Sequence, residues 1–224
     1  MTVQDVARRL PDIPVVRDRS RSLAMLEAIL CPEWEYRYYS FNASWGPAQE
    51  LASMSNGSGD DYAIVFSPAG AWVRVFAHES PMSPWAQEPP RPWPGVLDTV
   101  PTAFQACVQE PAFTLDGVAM VTACLWRQTT DDRWQTGATD FPAGQADPDG
   151  SEGLLELLLD DSPEAYQRFA EDYYQPRSVD LAAVREVYAL RPLTQPLVTT
   201  LNEQLSVADL AYDIAEIGYP TAQR

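Results

Sequence analysis

Lysine is absent from this chain of 224 residues, and all 15 of its basic residues are arginine. Aspartate and glutamate number 32, so the formal net charge is −17 at neutral pH. The excess is spread along the chain, at −9 over residues 1–150 and −8 over residues 151–224, and an acidic tail therefore does not account for it. Because a field of this sign repels phosphate backbones and anionic lipids, it argues against binding to nucleic acid or to a membrane surface. It favours high solubility or a basic protein partner.

Histidine and cysteine, which supply many metal ligands and nucleophiles, are scarce. His78 is the single histidine, and the three cysteines (Cys31, Cys107 and Cys124) show no C-x-x-C spacing. Zinc-ligand and dithiol redox motifs are therefore excluded. The cysteines lie in apolar surroundings, so we expect reduced, buried thiols. The sequence predicts neither a metal site nor a cofactor.

Long apolar runs are also missing. No apolar stretch approaches the ~20 residues that a membrane-spanning helix needs. The first residues lack the basic-then-apolar pattern of a secretion signal. We therefore expect a cytoplasmic protein that does not enter the membrane.

Apolar residues are nevertheless plentiful, at 46% of the chain, and aromatic residues make up 11%. Such a composition is enough for a sizeable core, and the length suits one domain with an additional helical lobe. We predict an α+β fold in which helices precede and follow an antiparallel sheet of about five strands within residues 33–137. Residues 1–150 would carry the first helices and the sheet, and residues 151–224 a helical lobe packed on the same domain.

Apolar periodicity locates the elements. Alternation with a period of two predicts strands, most clearly over Glu33–Phe41 and Ala71–Ala77. Spacing typical of helices predicts a second helix from Ser20 or Ser22 to the residue before Pro32, and a last helix closed by Gly218. The side chains predicted to form the core of the sheet are Trp34, Tyr36, Tyr38, Ile64, Phe66, Val73, Val75 and Leu125.

The stretch from Asn56 to Pro84 is the most distinctive part of the sequence. A glycine-rich acidic turn, NGSGDD, leads into an apolar strand, and a second strand ends on the only histidine. The hairpin either brings the turn and the histidine together or leaves them at opposite ends of one ladder. A segment rich in proline and tryptophan follows, which we expect to lie extended over the surface. The candidate binding residues are Asn56, Ser58, Asp60, Asp61, His78, Glu79, Ser80 and Trp85.

Each of these features has a functional and a structural interpretation. His78 is either a general base or ligand oriented by an acidic neighbour, or a strand-end residue bonded to backbone. The acidic turn is either a cation or anion site or a plain connection between strands. Residues 145–156 partly match a calcium-binding loop through Asp147 and Asp149, although no entering helix is visible. No oxyanion-hole donor can be recognised in the sequence, so no catalytic residue is assigned.

Several short motifs also carry a resemblance. They are NGSGDDY, HESPMSP, the Pro-Ala-Phe at residues 111–113 and the Glu-Ile-Gly-Tyr-Pro at residues 216–220. Together they resemble a family of uncharacterised bacterial proteins over much of residues 30–220. No activity comes with that family, so the resemblance carries over no catalytic residue. The layout of helices, antiparallel sheet, further helices and acidic surface also looks like that of bacterial toxin-immunity proteins.

Two functional hypotheses follow. The first is an acidic cytosolic binding protein of the immunity or regulatory type that meets a basic protein partner. The alternative is a small-molecule enzyme or ligand-binding protein with a pocket around His78, Glu79 and the pair Asp60 and Asp61. The sequence leaves open whether the protein is an enzyme, and it leaves the oligomeric state open.

Overall fold

A computed structural model describes residues 1–160, 162–174 and 178–221. It confirms the predicted α+β class, with helices on both sides of the sheet in sequence and six strands in the main antiparallel sheet where about five were expected. In the described ranges the helices are α1 (Val3–Arg9), α2 (Ile13–Leu30), α3 (Gln105–Val108), α4 (Ser151–Leu154), α5 (Glu156–Leu159), α6 (Pro163–Tyr173), α7 (Leu181–Tyr188), α8 (Gln195–Leu201) and α9 (Ala211–Ile217). The strands are β1 (Tyr39–Gly46), β2 (Gln49–Ser55), β3 (Asp61–Ser67), β4 (Gly70–Phe76), β5 (Thr114–Leu115), β6 (Val118–Ala119), β7 (Ala123–Gln128) and β8 (Gln135–Thr136).

The chain forms two compact units, each made of two segments. The first unit contains Met1–Ile13 and Ser53–Leu159, and the second contains Pro14–Ala52 together with the described residues from Asp160 onward. The assignment of residues 1–150 and 151–224 to a sheet-bearing part and a helical lobe stays a prediction.

The main sheet has the strand order β1-β2-β3-β4-β7-β8, and a separate two-stranded sheet joins β5 and β6. Its centre is the predicted hairpin of β3 and β4, whose register runs from Asp61 opposite Phe76 to Ser67 opposite Gly70. All seven residues of β4 are buried, which is typical of a strand covered on both faces. Gly70 lies at the tight turn with φ +134°, and a Cβ there would sit 2.1 Å from the carbonyl oxygen of Arg127. Only glycine therefore fits this position.

Large apolar side chains of the hairpin and of β7 form the core of the first unit. Tyr62, Ile64, Trp72 and Leu125 are each no more than 2% exposed. Full burial of a side chain of this kind stabilises the fold by about 1.5–3 kcal/mol. The predicted core residues of these three strands are all buried and thus confirmed, namely Ile64, Phe66, Val73, Val75 and Leu125.

Helix α2 dominates the second unit. Its residues from Ser22 to Leu30 are all buried, including Glu27, as expected for a helix that is covered all round. It begins at Ile13, earlier than the predicted start at Ser20 or Ser22, because Pro14 is tolerated in a first turn. At the other end of this unit, Gly218 closes α9 with φ +64°, as predicted.

The predicted strand over Glu33–Phe41 is wrong for its first six residues. A short 3₁₀ helix occupies Trp34–Tyr36, and the strand begins only at Tyr39. Trp34 and Tyr36, predicted to be core residues, are 65% and 63% exposed. The guanidinium of Arg37 explains the difference, because its Nε donates to the carbonyl oxygen of Cys31 at 2.9 Å and turns the chain back on the end of α2. Alternation of aromatic residues does not distinguish such a turn from a strand.

Candidate functional site

The acidic turn of the first unit is closed by the side chain of Asn56. Its Oδ1 accepts hydrogen bonds from the backbone N–H of Ser58 at 2.8 Å and of Asp60 at 3.2 Å. Its Nδ2 donates to Oδ2 of Asp60 at 2.8 Å. Asparagine commonly closes turns through its own side chain in this way. The result is a carboxylate held in one orientation at the start of β3.

His78 completes the site from the end of β4. Its backbone N–H donates to Oδ1 of Asp60 at 2.8 Å, and its Nδ1 lies 2.7 Å from the same oxygen. The structure thus answers the question that the sequence left open, since the acidic turn and the histidine meet at one end of the hairpin. Gly59 lies directly against the imidazole, because a Cβ at that position would be 3.2 Å from Cγ of His78.

The geometry gives the imidazole one bound and one open nitrogen. An ionised carboxylate only accepts, so Nδ1 carries the hydrogen and Nε2 is left as the acceptor of the neutral ring. The His78 side chain is 40% exposed, and Oε1 of Glu79 lies 3.8 Å from Nε2. Such a pair can bind a hydrogen-bond donor or accept a proton at Nε2.

Asp60 is the polarising member of this pair. Partial burial acts to raise its pKa, but the hydrogen bonds from the imidazole and backbone of His78 and from Asn56 outweigh that effect. The pKa of Asp60 therefore lies below its ordinary value. The carboxylate is ionised at neutral pH and holds the imidazole in one tautomer.

Asp61 is not part of this site, although it follows Asp60 directly. Neighbours on a strand point to opposite faces, and the Asp61 carboxylate pairs with the guanidinium of Arg74 on β4. The same guanidinium donates to the carbonyl oxygen of Met120 at 2.5 Å and lies 5.0 Å from the ring centroid of Phe113. Since the Arg74 side chain is only 7% exposed, this pair is a structural element of the sheet.

Three further predicted site residues, Ser80, Trp85 and Ser58, either have structural contacts or face solvent. The hydroxyl of Ser80 donates to the carbonyl oxygen of Pro148 at 2.6 Å and accepts from the N–H of Met82 at 2.9 Å. It is therefore occupied as a turn element and is not placed as a nucleophile. Trp85 is 41% exposed and packs edge-on against Phe76. Ser58 contributes its backbone N–H to the turn and is itself exposed.

The acidic residues of the calcium-loop alternative also have structural partners. Asp149 is fully buried and accepts hydrogen bonds from the N–H of Val3 at 2.7 Å and of Ser151 at 2.9 Å. Asp147 accepts from the N–H of Gly153 at 3.0 Å. Both carboxylates thus stabilise the start of α4. Among the described residues, no group of three or more histidine, cysteine, aspartate or glutamate side chains is placed to hold a metal ion.

All three cysteines are free and buried, as predicted. Burial raises the pKa of Cys107 to about 11 and also raises the pKa of Cys31 and Cys124. Thiols in such surroundings are poor nucleophiles at neutral pH.

Two notable features were missed by sequence reasoning. The carboxylate of Glu27 lies inside the second unit and accepts from the hydroxyls of Tyr166 at 2.8 Å and Tyr174 at 2.6 Å and from the N–H of Tyr38 at 2.7 Å. A single acid inside the apolar run LAMLEAIL was a usable signal for it. The second feature is a group of exposed aromatic side chains that includes Trp34. The sequence did not reveal this exposure, because the alternation of Trp34 and Tyr36 also suits a strand with one buried face.

Comparison of the chain with models of known protein families, with curated proteins and with solved structures finds no match. Within the described residues, no helix combines the length and the apolar character that crossing a membrane requires.

Proposed function

We propose that the protein binds a basic protein partner through its acidic surface, as a cytosolic protein of the immunity or regulatory type. One observation carries the proposal. In the described part of the chain, eight arginines pair with its own carboxylates and four exposed arginines have no ion pair, whereas a larger number of carboxylates are exposed without one.

The engaged arginines are the first half of this observation. Arg37 pairs with Asp213, and Arg127 pairs with Asp12. The guanidinium side chains of Arg37 and Arg127 are only 8% and 15% exposed, so they offer little positive charge to an approaching molecule. Further arginine–carboxylate pairs involve Arg8, Arg17, Arg21, Arg74, Arg168 and Arg185.

Exposed carboxylates are the second half. In the described part of the chain, the following acidic residues are exposed and have no ion pair: Glu33, Glu35, Glu88, Asp116, Asp132, Asp140, Glu156, Glu186 and Glu203. They occur in both units, so each unit has a negative surface. A surface of this kind attracts cationic proteins and raises their association rate, up to about 10⁸–10⁹ M⁻¹s⁻¹ at low salt.

The test begins with the products of genes adjacent to the one that encodes this chain. We expect a product of net positive charge to co-purify with the protein after co-expression. Stopped-flow measurement should then show an association rate constant that falls roughly tenfold or more between low salt and 0.5 M NaCl, because salt screens steering over a Debye length of ~10 Å or less. A stable partner of net negative charge, or an association rate that does not respond to salt, would contradict the proposal.

A second candidate function rests on the pair of Asp60 and His78. The open Nε2 beside an oriented carboxylate suits a small ligand with a hydrogen-bond donor, or a proton-transfer step. NMR spectra of the imidazole protons of His78 provide the test, recorded while a library of small polar molecules is added. A binding compound should shift these resonances in the wild type and should lose affinity for Asp60→Asn. If every compound that binds leaves the His78 resonances unchanged, the site is structural.

A further inference from the structure

Three large aromatic side chains of the second unit are each more than half exposed. Trp34 and Tyr36 lie on the 3₁₀ helix and are 65% and 63% exposed, and Tyr212 on α9 is 73% exposed. None of the three side chains has a hydrogen bond, ion pair or ring contact within the described part of the chain. Solvent-exposed tryptophan and tyrosine are typical anchors of protein interfaces, because they bury a large area at a low cost in conformational entropy.

A buried ion pair brings these residues together. The Arg37 guanidinium donates to Oδ1 of Asp213 at 2.5 Å, and its side chain is 8% exposed. Arg37 is the next residue after Tyr36, and Asp213 is the next residue after Tyr212. The ion pair therefore joins the residue after the 3₁₀ helix to the first turn of α9, and each of its two members directly follows an exposed tyrosine.

Acidic residues are close neighbours of the aromatic residues in sequence. Glu33 and Glu35 flank Trp34, and both are exposed without an ion pair in the described structure. On α9, Glu216 follows Tyr212 by four residues and therefore lies on the same face of the helix. The positive charge of Arg37 is already bound to Asp213. We call the set Trp34, Tyr36, Tyr212, Glu33 and Glu35 the aromatic–acidic surface.

We infer that the aromatic–acidic surface docks an arginine-containing segment of a partner protein. The inference rests on the proposed function, because it names the place where the basic partner is bound and the residue type that is recognised. A guanidinium stacks on the face of tryptophan or tyrosine and at the same time forms paired hydrogen bonds with a carboxylate. The ammonium of lysine is more strongly hydrated and lacks the planar fork, so arginine is preferred. An acidic or neutral apolar partner would leave Glu33 and Glu35 desolvated without a cation.

The experiment uses two synthetic dodecapeptides, one with alternating arginine and alanine and one with alternating lysine and alanine. Binding is measured by calorimetry, and the indole N–H resonance of Trp34, assigned with Trp34→Phe, reports contact at the surface. We expect the arginine peptide to bind more tightly than the lysine peptide and to shift this resonance. Trp34→Ala and Tyr212→Ala should each weaken binding by roughly threefold to thirtyfold, the range expected when one cation–π contact is lost. Leu115→Ala, which removes an exposed apolar side chain of the first unit, should leave binding unchanged.

A charge-matched pair of variants separates the surface from general acidity. Glu33→Gln/Glu35→Gln and Glu88→Gln/Asp140→Asn each remove two exposed carboxylates, but only the first pair belongs to the aromatic–acidic surface. We expect the first variant to lose at least fivefold more affinity than the second, as contact charges outweigh distant screened ones. Equal losses, with no effect of the aromatic substitutions, would overturn the docking site and leave the proposed function standing. If neither peptide binds the wild type at low salt, both the proposed function and the docking site fail. Circular dichroism confirms that each variant is folded.

Discussion

The carboxylate of Asp60 holds His78 at two points, since Oδ1 accepts from the backbone N–H at 2.8 Å and lies 2.7 Å from Nδ1 of the ring. This contact closes the open end of the central hairpin of the first unit. It orients the single imidazole of the protein and leaves its Nε2 open. Any activity at this site depends on the contact, and so does part of the stability of the hairpin.

Replacement of Asp60 by asparagine should therefore destabilise the protein in a way that depends on pH. The pKa of Asp60 is lowered in the folded protein, so the ionised carboxylate contributes stability above the unfolded pKa of about 3.9 and loses it as the pH falls through the lower folded value. We expect Asp60→Asn to reduce the free energy of unfolding by about 1–2 kcal/mol at pH 5. Urea unfolding from pH 5 to pH 2 should show the difference from the wild type shrinking towards acid.

Asp140→Asn is the matched control for this change. It removes one exposed carboxylate of the same unit whose side chain has no hydrogen bond to a described residue. Its effect on stability should stay within about 0.5 kcal/mol across the same pH range. Equal effects of the two substitutions at pH 5 would mean that the contact between Asp60 and His78 adds nothing to stability.

Two glycines of the acidic turn offer a comparison of backbone strain with contact. Gly57 has φ +71° and a Cβ there would meet nothing within 4 Å, whereas Gly59 has φ +105° and its Cβ would press on the ring of His78. Gly57→Ala should cost about 1–2 kcal/mol, the strain of a left-handed backbone alone. Gly59→Ala should cost more, about 2–3 kcal/mol. Of the two variants, only Gly59→Ala should shift the imidazole resonances of His78 in NMR spectra. Identical spectra of the two variants around His78 would contradict this geometry.

Glu27 should make the second unit less stable as the pH rises. Burial raises its pKa, and the hydrogen bonds from Tyr174, Tyr38 and Tyr166 only partly oppose this. Between the unfolded pKa of about 4.3 and the raised folded value, the native state binds the extra proton, so stability falls with increasing pH by up to about 1.4 kcal/mol per pH unit. Glu27→Gln removes this dependence. Urea unfolding between pH 4.5 and pH 8 should therefore show the wild type losing stability relative to the variant.

Glu203→Gln serves as the control for Glu27, because Glu203 is an exposed acid of the same unit with no ion pair to a described residue. The free energy of unfolding of Glu203→Gln should run parallel to that of the wild type over the whole pH range. Parallel curves for Glu27→Gln as well would show that the buried carboxyl does not change its protonation on unfolding. Glu27→Leu should cost roughly 3 kcal/mol or more, since it leaves buried donors without an acceptor.

The three thiols should be almost unreactive in the native protein. Burial raises the pKa of Cys107 to about 11, and Cys31 and Cys124 are shifted in the same direction. With Ellman's reagent at pH 8, we expect a slow reaction in buffer, first at Cys31, which is the most exposed at 8%, and a rapid reaction of three thiols in denaturant. A rapid reaction of one thiol in buffer would identify an opening that the folded geometry does not contain.

Local pattern predicted the central hairpin well and its surroundings less well. Alternation over Ala71–Ala77 located β4 to within a residue, and the turn before it marked the hairpin with β3. The same kind of alternation misplaced Trp34 and Tyr36, because the contacts of Arg37 with Cys31 and Asp213, residues near and far along the chain, decide that segment. A periodic pattern reports which residues share a face only when the element type is already settled.

The candidate site shows the same limit. Sequence proximity placed Asp60, Asp61, His78 and Ser80 together as one group of polar residues. Strand geometry separates them, since Asp60 meets His78 while Asp61 meets Arg74 on the other face and Ser80 meets the backbone of Pro148.

The amino-acid sequence by itself determined the α+β class, the positions of most elements and the excess of negative charge, because periodicity and composition are properties of neighbouring residues and of sums over the chain. Only the tertiary structure decided what each carboxylate does. Asp60 orients an imidazole, Glu27 accepts from buried tyrosines, and Glu33 faces solvent beside Trp34. The physical reason is that the environment of a charge is set by groups distant in sequence, and the energy of a charge depends on that environment more than on the residue type.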